Sequence, residues 1–212
     1  MGETGTALMQ DSIGANINPA ALSRTTSEAN FYYSPSSLGD AYLGSIGLTY
    51  RLENYFTMGI NYLRYEIKPI PVTDEFNNFA GELTWADSAL TLILSREIDE
   101  FSFGLAVKGI LRQEYNPIFK ETTGTAGAVD FGIIFCPRKY KRLQAAYSYR
   151  NWGTMVTYSN DPKADLLPES SRIGLSYLFL ENAANQLKLC LDGEYAISDS
   201  LRPAAGLEYT FE

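Results

Sequence analysis

Apolar and polar residues alternate with a period of two along most of this chain. The pattern is plainest between Phe101 and Phe135. Phe101, Phe103, Leu105, Val107, Gly109 and Leu111 alternate with Ser102, Gly104, Ala106, Lys108, Ile110 and Arg112. Further on, Val129, Phe131, Ile133 and Phe135 alternate with Ala128, Asp130, Gly132 and Ile134. Successive side chains of a strand point to opposite faces, so each stretch has one apolar face and one small or polar face. A helix would place its apolar residues at spacings of three and four. The same alternation predicts strands over 29–34, 43–52, 55–66, 86–96, 101–113, 125–136, 142–152, 170–180, 186–196 and 201–211.

Several of these strands exceed the usual globular length of about 5–6 residues. They reach the roughly 9–11 residues that a tilted strand needs to cross a bilayer. The connections add an independent signal. Residues 35–42, 67–85, 114–124 and 153–169 form the longer loops; 53–54, 97–100, 137–141 and 181–185 form short ones. Only 197–200 is short where a long loop is due. Long loops at one end and tight turns at the other mark outer-membrane barrels. Tyr32, Tyr33, Tyr55, Tyr62, Tyr65, Trp85, Tyr115, Tyr147, Tyr149, Trp152, Tyr195 and Tyr209 fall near strand ends, where interfacial girdles would place them. The expectation is all-β: an antiparallel up-and-down transmembrane β-barrel of about ten strands over 28–212. Residues 1–27 are small and polar, and serve as a short N-terminal plug or a disordered leader. Within them Asn18-Pro19-Ala20 reads as the start of a helical turn, with Asn18 as the cap and Pro19 at the first position.

In such a barrel the apolar face meets lipid and the polar face lines the lumen. Lys108, Arg112, Asp130, Arg150 and Arg172 are then the lumen candidates. They offer either a path for an anionic head group or ion pairs that neutralise one another. Alternation alone does not decide which face is inside. A soluble β-barrel with a hydrophobic ligand in its interior has the same pattern turned inside out. Strand length, loop alternation and the aromatic positions favour the membrane.

Composition narrows the chemistry. The 212 residues suit one domain, and 17 Lys and Arg against 25 Asp and Glu give a net charge of -8. That balance argues against nucleic acid. There is no His, which removes Ser-His-Asp catalysis and His-ligated zinc or haem. No catalytic residue, metal or cofactor is expected; Asp161 and Asp165 share a long loop without a calcium-loop motif. Asp87, Glu97, Asp99 and Glu100 read as solvated carboxylates, and Cys136 and Cys190 as free thiols. No stretch reaches the length of a transmembrane helix. The opening MGETGTALMQD has no signal-peptide pattern, so the chain either is not exported or lacks its export signal here.

Several segments together resemble one family. Asn18-Pro19-Ala20-Ala21-Leu22 is similar to the N-P-A-x-L element of the long-chain fatty acid transporter (FadL-like) superfamily. Gly104 to Lys108 resembles a G-x-x-x-K strand of its PorV/PorQ branch, and Ala128 to Gly132 its x-x-D-x-G strand. Asn151-Trp152-Gly153 resembles an N-x-G strand end, and Leu167-Pro168 with Arg172-Ile173-Gly174-Leu175-Ser176-Tyr177 resembles L-P-x-x-x-R-x-G-x-x-Y. The resemblance implies a bacterial outer-membrane barrel of 14 strands with an N-terminal hatch in the lumen. This chain, with about ten strands, would then be a fragment; a complete ten-stranded barrel is the competing expectation. The implied partners are outer-membrane lipid with either hydrophobic small molecules or secreted proteins of the type IX system.

Overall fold

The computed structural model describes residues 4–7, 14–36, 40–52, 55–117, 120–159, 164–182, 185–196 and 200–211. They form β1 (Glu28–Pro35), β2 (Ala41–Leu52), β3 (Phe56–Thr73), β4 (Phe79–Ile98), β5 (Phe101–Asn116) and β6 (Lys120–Phe135). Then come β7 (Leu143–Gly153), β8 (Val156–Tyr158), β9 (Ala164–Asp165), β10 (Ser170–Glu181), β11 (Asn185–Ala196) and β12 (Leu201–Phe211). Short 3-10 helices cover Gly14–Asn16, Pro19–Arg24 and Arg138–Tyr140.

All strands belong to one antiparallel sheet, in the order β1 to β7, then β10, β11 and β12. Each of these ten strands corresponds to one expected from alternation. β8 and β9 were not expected; β8 pairs with the upper end of β6 at Gly124 and Thr125, and β9 pairs with β8. Their few residues are too short to carry a readable period. The two ends of the sheet, β1 and β12, do not pair with each other, so the sheet is open where a closed barrel was expected.

The stretch 67–85 is not a loop. β3 and β4 run on as a ribbon to Thr73 and Phe79, leaving only 74–78 as the connection. Pro69 and Pro71, which lack an N–H, sit beyond the end of β2, whose pairing with β3 stops at Ala41 and Ile67. A proline is tolerated where no neighbouring strand needs its donor. The ladder takes up the irregularity in a register shift between Ile67 and Ile70. The loop expected at 114–124 shrinks in the same way, because β5 and β6 pair as far as Asn116 and Lys120.

The sheet curls around the N-terminal segment. The helix Pro19–Arg24 packs on β3, β4, β5 and β6. Its contacts form two small buried clusters: Ala7, Ala20, Ala21, Ile134 and Ala146, and Ala15, Leu22, Ile93 and Ala106. The large apolar side chains lie elsewhere. Leu48, Leu92, Leu94, Phe103, Leu105, Val107, Ile173, Leu175, Leu191 and Leu207 are all exposed on the convex face. The chain thus buries its small residues and shows its large apolar ones, the reverse of a water-soluble core.

Candidate functional site

The concave face and the segment held in it form the site. Glycines and alanines of the polar face leave the room. Gly104 and Gly132 are directly paired across β5 and β6. A Cβ on Gly104 would run into the backbone of Pro19 and Ala20, and one on Gly132 into Asn18 Oδ1. Only residues without a side chain let the helix lie flat on the sheet there.

Asn18 organises this seat. Its Oδ1 accepts from Ala20 N at 3.0 Å, the cap that starts the helix. Its Nδ2 donates to Thr6 O at 3.0 Å, which ties the helix to the chain ahead of it. Asp192 of β11 holds that earlier stretch. Its Oδ2 accepts from Gly5 N at 3.0 Å, Thr6 N at 3.0 Å and Thr6 Oγ1 at 2.7 Å. At the other end Arg51 donates to Ser23 O and Thr25 O. Arg24 reaches Ser102 Oγ and Cys136 Sγ and pairs with Glu97 at 3.5 Å. Residues 4–7 and 14–25 are therefore pinned to the wall along both edges. Asn18, Pro19 and Ala20 sit in an ordered seat on the concave face.

Above the helix the lumen candidates meet as ion pairs. Lys108 Nζ lies 2.8 Å from Asp130 Oδ2, with the Asp130 residue only 1% exposed. Lys108 also donates to Asn151 Oδ1 at 2.5 Å, and Asn151 N donates to Asp130 Oδ1 at 2.8 Å. Asn151 has φ 61°, a left-handed backbone that Asn tolerates better than most residues. That conformation sits at the register shift between Val129 and Phe131 in the β6–β7 ladder. Arg150 and Arg172 share Glu194, at 2.6 Å and 2.8 Å on its two oxygens. Arg112 forms a two-point pair with Asp87, at 2.9 Å and 3.3 Å, and lies over the Trp85 ring.

These groups bound a cavity of about 370 Å³ on the outer side of the helix. Asn16, Lys108 and Arg150 line its inner part, and Leu63, Ile110, Val156, Leu166 and Leu167 its apolar walls. Three cations, Lys108, Arg112 and Arg150, stand against two carboxylates, Asp87 and Asp165, in its lining. Each of the three cations is already paired, Lys108 with Asp130, Arg112 with Asp87 and Arg150 with Glu194, so the cavity is amphipathic, with a floor of paired charges beneath apolar walls. Arg172 lies outside the cavity lining and shares Glu194 with Arg150, which does line it.

Of the carboxylates expected to be solvated, Glu97 and Asp99 are exposed, Asp99 in a surface pair with Arg138 at 2.9 Å. Glu100 accepts from Arg138 N at 2.7 Å, and Asp87 pairs as above. Asp165 accepts from Tyr158 at 2.5 Å, while Asp161 lies outside the described residues. Among the described residues no group of three metal-ligating side chains occurs. Both cysteines are free. Sequence reasoning did not single out Asp192 and Glu194. Their partners lie more than 180 positions away for Thr6 and 44 for Arg150, beyond any local pattern. The paired Gly104 and Gly132 were the available signal for a seat. No family model matches the chain, and no curated protein matches it in sequence.

Proposed function

We propose that this chain forms the wall and plug of a bacterial outer-membrane β-barrel, of the FadL-like and PorV-like kind that its motifs resemble. Its role in this proposal is non-enzymatic transport of hydrophobic molecules with an anionic head. One observation carries the membrane half of the proposal: large apolar residues are exposed on the convex face of β2 to β5 and of β10 to β12, while the charges of the concave face are paired; the ion pair Arg64–Glu66 marks the polar rim of the convex face on the side of the long connections. On β5 the apolar outer positions run from Phe101 to Leu111. At ~3.3 Å per residue and a tilt of ~40°, that stretch is about 25 Å tall, the height of an outer-membrane apolar band. Patches far smaller than this already mark interaction surfaces on soluble proteins.

The amphipathic cavity carries the transport half. Its apolar walls suit an acyl chain, and the guanidinium of Arg112, whose pair with Asp87 is part-exposed, can take a carboxylate or phosphate head in a second contact. In a bilayer the free edges of β1 and β12 would leave backbone N–H and C=O groups unpaired, at several kcal/mol each. The proposal therefore requires those edges to be paired in the membrane, with each other or with further strands. The secretion-associated role of PorV-like barrels finds no support in the cavity.

The test has two arms. The protein should need detergent for solubility and show heat-shifted mobility on a gel. A fluorescent long-chain fatty acid should bind the detergent-solubilised protein and lose about 10-fold or more in affinity in Arg112→Ala, the loss of a charge-assisted contact. A stable monomer in plain buffer would contradict the membrane half and favour a soluble barrel. Unchanged binding in Arg112→Ala, or none in the wild type, would contradict the transport half.

A further inference from the structure

We infer that the ribbon formed by residues 68–83 is a docking element for a protein partner, which receives Phe76 and Phe79 in an apolar pocket rimmed by basic residues. This inference stands apart from the cavity. The ribbon is the continuation of β3 and β4 beyond both of their neighbours. β2 stops pairing at Ile67 and β5 at Thr84. Beyond that level the two strands of the hairpin pair only with each other among the described residues, at the end opposite the tight turns.

Its tip is built. Asp74 Oδ1 accepts from Phe76 N at 2.9 Å and Asn78 N at 2.8 Å, and Oδ2 accepts from Asn78 Nδ2 at 3.2 Å. Asn77 takes φ 64° to close the turn, and Asp74 N donates to Asn78 O at 2.9 Å. Lower down, Pro117 of the neighbouring hairpin lies against Gly81, whose φ of +138° and lack of Cβ make the contact possible. The tip therefore holds Phe76 and Phe79 outward in a fixed turn, 76% and 68% exposed. Rigid exposed aromatics on a preorganised support are what an interface hot spot requires, because little ordering is left to be done on binding.

Pro69 and Pro71 lack an N–H, which disfavours strand addition along the β3 side of the ribbon. The exposed aromatic side chains at the tip are the feature that a partner would read. Asp74, Glu75 and Glu82 lie on the ribbon against Lys68 alone, and the adjoining hairpin end adds Glu114 and Glu121 against Lys120. That acidity opposes insertion among anionic lipid head groups and complements a basic rim on a protein.

The experiment places a photo-crosslinking residue at position 76 or 79 in the full chain, in its native cells, with position 31 on the apolar band as control. Any protein joined from 76 or 79 is identified, purified and titrated against the detergent-solubilised wild type, Phe76→Ala/Phe79→Ala and Glu75→Lys/Glu82→Lys. The inference expects a protein adduct specific to the tip. It also expects at least ~10-fold weaker binding in both variants, with heat-shifted mobility unchanged. It expects wild-type affinity to fall as salt rises. An adduct with lipid alone, no adduct, or affinity indifferent to both variants overturns it. Fatty acid binding by these variants stays at the wild-type level, which separates this result from the fate of the transport proposal.

Discussion

The two faces of β5 and β6 are made from the same residues in alternation, yet they are built on opposite rules. On the concave face Gly104, Ala106, Gly132 and Asp130 are small or charged, and each is held against the plug or an ion partner. On the convex face Phe103, Leu105, Val107 and Phe131 are large, apolar and exposed. Small inner residues let a backbone lie on a backbone, where directed hydrogen bonds do the holding. Large outer residues make few specific contacts with each other and need a medium that accepts them. The difference shows that stability on one side is a matter of particular partners, and on the other of solvent.

Substitutions on the two faces should therefore fail in different ways. The largest effect is expected from Asp130→Leu, which strands the buried Lys108 ammonium without its carboxylate. Breaking such a pair costs about 3–5 kcal/mol, and Lys108→Met/Asp130→Leu should recover most of it. Denaturant unfolding of the three proteins in lipid vesicles checks both values. A double variant no better than the single would show that the inner face does not depend on pairing.

Next comes the outer face. Leu105→Arg should cost about 2–4 kcal/mol in vesicles, as a charge near the middle of the apolar band. Leu105→Ser should cost less. The same unfolding measurement applies, and a neutral or stabilising Leu105→Arg would break the comparison, because it would mean that water already meets this face.

Asn18→Ala should remove the cap at the start of Pro19–Arg24 for roughly 0.5–2 kcal/mol. It also frees Thr6 O, so hydrogen exchange should rise at Thr6 and at 20–25 together, with the β5 amides unchanged. Exchange confined to 20–25 would show that the two parts of the plug are held separately.

The smallest effect lies at the ribbon tip. Hydrogen bonds from Asn78, first of all its backbone N–H, hold the Asp74 carboxyl below its ordinary value. A depressed folded value stabilises the turn above the unfolded carboxyl pKa of about 3.9 and is lost as pH falls below it. Amide exchange at Phe76 and Asn78 should therefore increase between pH 5 and pH 2 relative to the intrinsic rate, and Asp74→Asn should flatten that dependence. No change in the wild type would mean that the backbone bonds alone set the turn.

Much of this was legible in the sequence, for reasons that differ from element to element. The long strands could be read because neither a helix nor an irregular loop sustains a period of two over ten or more residues. Asn18-Pro19 could be read because a cap is a local device. The ribbon lies within 67–85, which reads as a loop in the sequence; apolar and polar residues do not alternate there, and its pairing shows only in the register of β3 with β4. The Asp192 and Glu194 anchors were hidden for a related reason: their partners, Thr6 and Arg150, are chosen by the curl of the sheet rather than by neighbouring residues. The gap between β1 and β12 was equally illegible, since alternation predicts strands and faces but not which strand meets which.

The central claim is that the large apolar face meets lipid and the polar face does not. Nitroxide labels on single cysteines, in a background with Cys136 and Cys190 replaced, test it directly in reconstituted vesicles. Positions 103, 105, 107 and 131 report the convex face and 110 and 126 the concave one. The account predicts high oxygen and low nickel-chelate accessibility at the first four, with the reverse preference at 110 and 126. Nickel accessibility at 105 and 107 equal to that at 110 would contradict it.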